Sequence, residues 1–181
     1  QSYHQQAIVA TVKTQLSHQQ CARQCFMSSG PLAFLPLKDP HQCSIVWSSH
    51  SQHATELLAL DNEHFDQALT SAFSEKLGTC TLASERLLFP LTKRHATHYV
   101  APHIALIGDA IHTIHPLAGQ GVNLGLLDAA ALAETIDKAH GQQRNYASLT
   151  QLRHYQRFRK AHNQLLLLMM DGFKNLFSND N

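Results

Sequence analysis

Residues 108–123 contain the side chains and glycines best suited to binding a ligand. Asp109 is separated by one glycine from an apolar run that predicts a strand, and a carboxylate at the carboxyl end of a strand can accept hydrogen bonds from ribose or ribityl hydroxyls. Gly108 permits a tight exit from that strand. Gly119 and Gly121 precede a predicted helix, whose free N–H groups and dipole favour an anionic or electron-rich group. The segment therefore predicts one acceptor for hydroxyls and one electropositive nest.

An ordinary dinucleotide-binding motif is a poorer interpretation of these glycines. Gly119, Gly121 and Gly125 nearly match the fingerprint, but about ten residues separate them from the strand that should come directly before. The acidic residues that follow, Glu134 and Asp137, lie within the predicted helix and not at the end of a second strand. Asp109 alone could equally cap a helix or anchor a loop, and that alternative stays open at this point.

Cysteine and histidine patterns predict neither a metal site nor a nucleophilic centre. The four cysteines form no Cys-x-x-Cys pair, which is typical of reduced thiols in a cytosolic protein. The 14 histidines include three His-x-x-His pairs, but no cysteine or carboxylate stands beside them at ligand spacing. We therefore expect surface or loop histidines at these pairs: His50/His53, His95/His98 and His112/His115.

Composition excludes several classes of protein. The chain has 181 residues, of which 44% are hydrophobic and 15% charged, so a real core is expected in one domain or slightly more. A net charge of +1 without a basic stripe gives no support for nucleic-acid binding. The longest apolar run, residues 165–170, is far shorter than a membrane span, and no signal peptide is visible. The abrupt start without Met suggests a piece of a longer chain.

The first half of the chain predicts an antiparallel sheet. Short apolar, β-branched runs separated by turns indicate strands at 7–12, 21–27, 32–37, 43–48 and 85–91. Phe34 and Pro36 lie on the same face of their strand by the period of two, and so do Ile45 and Trp47 on theirs. We expect most of these four side chains in the core, although either set could line a ligand pocket.

Helices dominate the remainder of the sequence. Asp61 is a predicted N-cap for a helix that runs to Leu77, with Gly78 as its left-handed end. The continuous apolar run 104–107 predicts a buried strand, parallel to its neighbours. Two further helices are predicted over residues 123–140, with Gly141 as the stop, and over 148–177. The last one carries a helical stripe: Leu152, Tyr155, Phe158, His162, Leu165 and Met169.

A family resemblance rests on these motifs. Residues 105–112, Pro116, residues 119–121 and Asn123, followed by Asp128, resemble the second flavin-binding motif of the class A flavoprotein aromatic hydroxylases, which share the para-hydroxybenzoate hydroxylase fold. Ile111 stands where that family usually has Ala. Segments 5–10, 30–37, 44–47 and 89–91 are most similar to the ubiquinone-biosynthesis hydroxylases, especially the 2-polyprenylphenol hydroxylase branch.

The resemblance covers nearly the whole chain but only the C-terminal half of such an enzyme. Nothing before residue 108 resembles the family's phosphate-binding glycine motif or its Asp-Gly motif. The implied fold class is α+β, with an antiparallel substrate-domain sheet, then the C-terminal β-loop-α part of an FAD-binding α/β domain, and a long C-terminal helix. The implied domains are residues 1–100, 101–141 and 142–181.

The same resemblance implies an activity and a set of site residues. The parent enzyme would be an FAD-dependent monooxygenase that hydroxylates a polyprenylated phenol, using NAD(P)H and O2 through a flavin C4a-hydroperoxide, and the fragment alone would be inactive. Asp109 would bind the ribityl hydroxyls, the loop from His115 to Gly121 would lie along the isoalloxazine, and no side chain would be catalytic. The implied cofactor-binding residues are Gly108, Asp109, His115, Pro116, Gly119, Gln120, Gly121, Val122 and Asn123.

We also consider two alternative functions and several binding partners. The chain could be a non-catalytic module that binds a prenylated phenol or a partner, or part of a flavin hydroxylase for another small aromatic compound. Implied partners are the N-terminal half, other ubiquinone-biosynthesis proteins and a second copy of the chain. The expected location is the cytoplasm. The last helix either packs against the rest of the protein or docks peripherally on the inner membrane. The basic residues beside its stripe are Arg153, Arg157, Arg159 and Lys160.

Overall fold

A computed structural model of the chain describes residues 2–92, 94–113 and 121–177. These residues form two units, Ser2–Leu91 and Thr92–Leu176, each with its own internal contacts. The class is α+β, as predicted from the sequence. The division into domains at 1–100, 101–141 and 142–181 stays a prediction.

The first unit is built on an antiparallel sheet. Its strands are β1 (Ser2–Thr14), β2 (Arg23–Met27), β3 (Gly30–Pro36), β4 (Gln42–His50), β5 (Cys80–Leu82) and β6 (Leu87–Thr92). Their order is β2-β3-β4-β1-β5, and β6 also pairs with β1. The register of β1 on β4 runs from Gln5 opposite His50 to Lys13 opposite Gln42. The predicted antiparallel strands are therefore confirmed.

Two helices cover one face of this sheet and form its core. They are α1 (Ser51–Ala59) and α2 (Asn62–Ala72). Alternation along the strands buries Phe34, Ile45 and Trp47 on that face, so the prediction that they belong to the core is confirmed. Phe34 stacks on Phe73, with ring centroids 4.0 Å apart. The cap prediction is also confirmed, because the Asp61 side chain accepts a hydrogen bond from the His64 N–H at 2.9 Å.

The ends of the helices in this unit differ from the prediction. Helix α2 ends at Ala72 and not at Leu77, because the chain leaves the helix through Ser74 and Glu75, which both have positive φ. Gly78 has a φ of 70°, but it lies beyond the helix. Helix α1 was not predicted, since only Ala54 and Leu57 of its nine residues are buried and the periodic signal is weak.

The second unit contains short strands and two long helices. The strands are β7 (Arg94–His95), β8 (Val100–Ala101), β9 (Ile104–Ala105) and β10 (His112–Thr113). A 3-10 turn spans Gly108–Ala110. The helices are α3 (Gly121–Gly141) and α4 (Leu149–Phe177). Strand β8 pairs antiparallel with β9, and β7 with β10.

The predicted buried strand at 104–107 is wrong. Only Ile104 and Ala105 are in a strand, and their pairing is antiparallel. Ile104 is 55% exposed, and Leu106 and Ile107 are also exposed. The side chains of a continuous apolar strand are buried only when both faces of its sheet are covered, and the described residues leave Ile104, Leu106 and Ile107 exposed.

Helix α3 ends at Gly141, as predicted, although it begins at Gly121 and not at Asn123. Helix α3 includes Gly141, and the left-handed residue is Gln143, with a φ of 54°. The Gln143 N–H donates to His140 O, and the Arg144 N–H donates to Ala139 O at 2.9 Å. This is the paired hydrogen bonding of a Schellman ending.

The predicted stripe on α4 is only partly buried. Leu152 and Tyr155 face inward, but Phe158, His162, Leu165 and Met169 are exposed. The buried side continues instead through Arg159 and Asn163, which are polar. Arg159 is 2% exposed and therefore cannot be part of a basic docking surface. Among the residues described, no helix is both long enough and apolar enough to cross a bilayer.

Candidate functional site

The turn that follows Ile107 presents Asp109 to solvent. The Ile111 N–H closes the turn by donating to Gly108 O at 2.9 Å. Gly108 has a φ of 60°, a left-handed conformation that glycine adopts without strain. The Asp109 side chain is exposed and makes no hydrogen bond or ion pair with any described residue. Its carboxylate oxygens are therefore available to an external donor.

The turn packs against the backbone of α3. A Cβ on Gly108 would lie 3.7 Å from the Cα of Gly125. Gly125 is one helical turn beyond Gly121, where α3 begins, so the turn lies near the amino-terminal end of this helix. The N–H groups of Gly121 and Val122 belong to the first turn of the helix, where the backbone supplies no acceptor for them within the helix. The side chain of Val122, in the first turn of α3, is 74% exposed.

A buried carboxylate supports the turn from below. Asp128 on α3 is fully buried. Its Oδ2 accepts hydrogen bonds from the Gly108 N–H at 3.1 Å and from His112 Nε2 at 2.6 Å. Its Oδ1 accepts from Arg159 Nε at 2.7 Å and from Asn163 Nδ2 at 3.2 Å. Each oxygen thus has two donors, and the cluster joins the turn to β10, α3 and α4.

Hydrogen bonding keeps Asp128 ionised in this buried position. Burial acts to raise the pKa of its carboxyl group. The hydrogen bonds from Arg159, His112, Asn163 and the Gly108 N–H act in the opposite direction, and together they lower the pKa below its ordinary value. The buried Asp128 carboxylate is thereby paired with the buried Arg159 guanidinium.

The buried network extends to two tyrosines and two histidines. Arg159 Nη2 donates to Asn163 Oδ1 at 2.8 Å, and Asn163 Nδ2 approaches the Tyr99 hydroxyl at 3.4 Å. The Tyr99 hydroxyl also bonds to His95 Nε2. The Tyr155 hydroxyl donates to Leu106 O at 2.7 Å, and burial raises the pKa of both tyrosines. His112 Nδ1 is buried without a partner among the described residues.

The structure brings some of the predicted site residues together and leaves others outside its description. Gly108 and Asp109 form the turn, and Gly121, Val122 and Asn123 form the start of α3. The predictions at the other four residues fall outside the described ranges: His115, Pro116, Gly119 and Gln120.

Sequence reasoning missed the support of the turn. His112 was predicted as a surface or loop histidine, but it lies in β10 and is 1% exposed, because it faces the buried Asp128. The available signal was a polar pair four residues apart, Arg159 and Asn163, that continues the inward face of Leu152 and Tyr155.

A family model and several curated proteins match this chain. The family model is described as FAD binding domain and matches residues 4–168. Ubiquinone hydroxylase UbiL of Rhodospirillum rubrum is 40% identical over 178 residues, covering 98% of this chain and 41% of that protein. The human mitochondrial ubiquinone biosynthesis monooxygenase COQ6 is 37% identical, and the match covers 98% of this chain and 45% of that protein. The 3-demethoxyubiquinol 3-hydroxylase of Escherichia coli K12 is 38% identical, and the match again covers 98% of this chain and 45% of that protein.

Solved structures share this fold. PqsL of Pseudomonas aeruginosa, described as a probable FAD-dependent monooxygenase, superposes with a TM-score of 0.78 at 26% identity, covering 99% of this chain and 50% of that one. The flavin-dependent halogenase CmlS has a TM-score of 0.67 at 19% identity, covering 100% and 34%, and this likeness concerns the fold alone. The chain spans about two fifths of the length of the curated relatives it matches.

Proposed function

The chain belongs to the FAD binding domain family, and from this membership we propose that it is the C-terminal part of an FAD-dependent monooxygenase that hydroxylates a polyprenylated phenol in ubiquinone biosynthesis. NAD(P)H and O2 are the co-substrates of the proposed reaction. The observation that carries the proposal is the exposed Asp109 carboxylate, which has no partner among the described residues and is held on a turn whose Gly108 N–H is bonded to the buried Asp128.

The residues of this turn and of α3 fit a flavin. The Asp109 carboxylate has the acceptor chemistry that ribityl hydroxyls require. Backbone N–H groups at Gly121 and Val122 can donate to the pyrimidine side, where negative charge develops on reduction, and Asn123 stays a proposed contact beside them. Bound flavin would supply the reduction and activation of oxygen, with NAD(P)H as the electron source. His115, Pro116, Gly119 and Gln120 remain proposed contacts along the ring.

The outer face of the sheet in the first unit is the proposed wall of the substrate pocket. The core face carries the bulky Phe34, Ile45 and Trp47, whereas Val9 and Val46 point the other way and are half-buried. Small apolar side chains on this second face suit an aromatic ring and the start of a prenyl tail. We expect the 181-residue chain to be inactive alone, because its sequence lacks a phosphate-binding glycine motif.

Helix α4 is the proposed site of peripheral contact with the inner membrane from the cytoplasmic side. Phe158, Leu165, Leu168 and Met169 form an exposed apolar strip, from 51% to 69% exposed, which we call the α4 strip. Arg153, Arg157 and Lys160 lie along one edge of it, and residues 149–170 include no acidic residue. An apolar strip with a cationic edge is complementary to an anionic lipid surface.

A flavin titration of this chain tests the proposed site. We expect weak but saturable quenching of FAD fluorescence, with an affinity at least about tenfold lower in Asp109→Ala, since a hydrogen bond to a charged group is lost. Asp137→Ala is the matched control, because Asp137 is an exposed aspartate on α3 outside the proposed site. No saturable quenching, or equal affinities for the two variants, would contradict the site and favour a binding module without flavin.

A further inference from the structure

The carboxylate of Asp128 has no remaining acceptor capacity for a ligand. Its two oxygens receive four donors, from Gly108, His112, Arg159 and Asn163, and the side chain is fully buried. Asp128 therefore binds neighbouring protein groups and does not bind a substrate or cofactor.

We infer that Asp128 is the positioning residue of the Gly108–Asp109 turn, and that Arg159 of α4 fixes Asp128 for this role. The turn is a single 3-10 turn, which holds little stability of its own. Its connection to α3 through a side chain is the bond from the Gly108 N–H to Asp128 Oδ2. The direction in which Asp109 points thus depends on Asp128.

Arg159 extends this dependence to the C-terminal helix. Its Nε bonds Asp128 Oδ1 and its Nη2 bonds Asn163 Oδ1, so the guanidinium is oriented from two directions. Oδ1 is held on the α4 side while Oδ2 faces the turn, which fixes the plane of the carboxylate. Arg159 is 31 positions after Asp128 in the sequence, so a change in α4 is transmitted to a turn far away in the chain.

An amide at position 128 cannot reproduce this arrangement. In Asp128→Asn one oxygen becomes an NH2 group, which would face two donors whichever way the amide is oriented. If the NH2 replaces Oδ2, the bond to Gly108 is lost directly. If the NH2 group replaces Oδ1, Arg159 and Asn163 lose their acceptor. The amide side chain at position 128 then rotates to restore these hydrogen bonds, and the bond to Gly108 is disturbed.

This inference rests on the proposed function only in the identity of the ligand at Asp109; the positioning itself is tested without flavin. Amide hydrogen exchange is measured by NMR on the whole 181-residue chain, with Gly108 as the reporter. We expect Asp128→Asn to increase Gly108 exchange at least about tenfold and to shift the Gly108 amide proton upfield, because its charged acceptor is gone. Glu134→Gln, the same carboxylate-to-amide change at an exposed site on α3, should leave both readouts unchanged.

Arg159→Lys keeps the charge and serves as the conservative variant if Asp128→Asn does not fold. It should give an intermediate Gly108 shift, because one donor to Oδ1 remains while the link to Asn163 is lost. Amides of β1 report the first unit and should not change in either variant. Unchanged exchange and chemical shift at Gly108 in both variants would overturn the inference. That outcome would leave the flavin titration unaffected, so the two proposals can fail separately.

Discussion

Gly125 approaches Gly108 so closely that a Cβ built on Gly125 would lie 3.3 Å from the Cα of Gly108. This distance is shorter than an ordinary carbon–carbon contact, and the neighbouring atom is backbone that cannot rotate away. The absence of a side chain at position 125 thus determines how near the turn can lie to α3.

Gly125→Ala should separate the turn from α3. We expect the second unit to lose about 1 kcal/mol or more through overpacking, although alanine favours the helix. The 222 nm circular dichroism signal measures this, because α3 and α4 contribute 21 and 29 helical residues against nine and 11 in α1 and α2. Gly141→Ala is the control: a Cβ there meets nothing within 4 Å, and stability should rise slightly. If Gly125→Ala and Gly141→Ala changed the stability of the second unit equally, the turn would be free to move away from the added Cβ.

The stability of the second unit should depend on pH through Asp128. Because its folded pKa is lowered, its contribution is complete well above the unfolded value of about 3.9 and is lost as pH falls through the folded pKa. At pH 7 we expect Asp128→Asn to cost about 3 kcal/mol or more, since it breaks a buried ion pair. The gap between the thermal midpoints of wild type and variant should narrow below about pH 4. A constant gap from pH 7 to 3 would contradict the lowered pKa.

Arg86 should stabilise the carboxyl end of α1 in the first unit. It donates to Leu57 O at 3.2 Å and to Leu60 O at 2.7 Å, and its guanidinium lies 4.8 Å from the centre of the Phe65 ring. We expect Arg86→Met to lower the free energy of unfolding by about 1–3 kcal/mol, with partial recovery in Arg86→Lys.

The unfolding of the first unit can be followed by the fluorescence of Trp47, the single tryptophan, which is buried in that unit. Lys38→Met is the matched control, because Lys38 is an exposed cation of the same unit. If Lys38→Met were as destabilising as Arg86→Met, the general loss of positive charge and not the contacts of Arg86 would be responsible.

The α4 strip should bind anionic vesicles. We expect the chain to float with phosphatidylcholine vesicles that contain about one third phosphatidylglycerol, and to do so less in high salt, because the basic edge is screened. Leu165→Ser with Leu168→Ser should abolish flotation, whereas Leu16→Ser, at a residue 53% exposed in the first unit, should not. Equal flotation of all three proteins would rule out α4 as the contact.

Local patterns in the sequence were sufficient for the sheet and for the turn. Alternation assigned Phe34, Ile45 and Trp47 to the core face, and the Gly108–Asp109 motif indicated the family that the match over residues 4–168 confirms. These features depend on neighbours within a few residues. The same reasoning failed for the run at 104–107, because burial of an apolar strand depends on partners that the run itself does not specify.

The support of the turn could not be predicted for a related reason. Asp128 meets Gly108, His112 and Arg159 from separations of 20, 16 and 31 residues. Asp and Arg side chains ordinarily lie at the surface, and only hydrogen bonding within the cluster allows Asp128 and Arg159 to be buried. Apart from the helical spacing of Arg159 and Asn163, the cluster has no period and no fixed spacing, so most of it becomes visible only after the helices are packed.

The central position of β1 has a consequence for synthesis of the chain. β1 begins at Ser2, yet its partners end at His50, Leu82 and Thr92. Among the strands of the first unit, β1 leaves the ribosome before the others, and both of its edges stay unpaired until most of that unit has been translated. During that interval, the apolar residues Ile8, Ala10 and Val12 are exposed to other nascent chains and to chaperones. Slowing translation between residues 50 and 92 should therefore increase aggregation more than slowing it after residue 92.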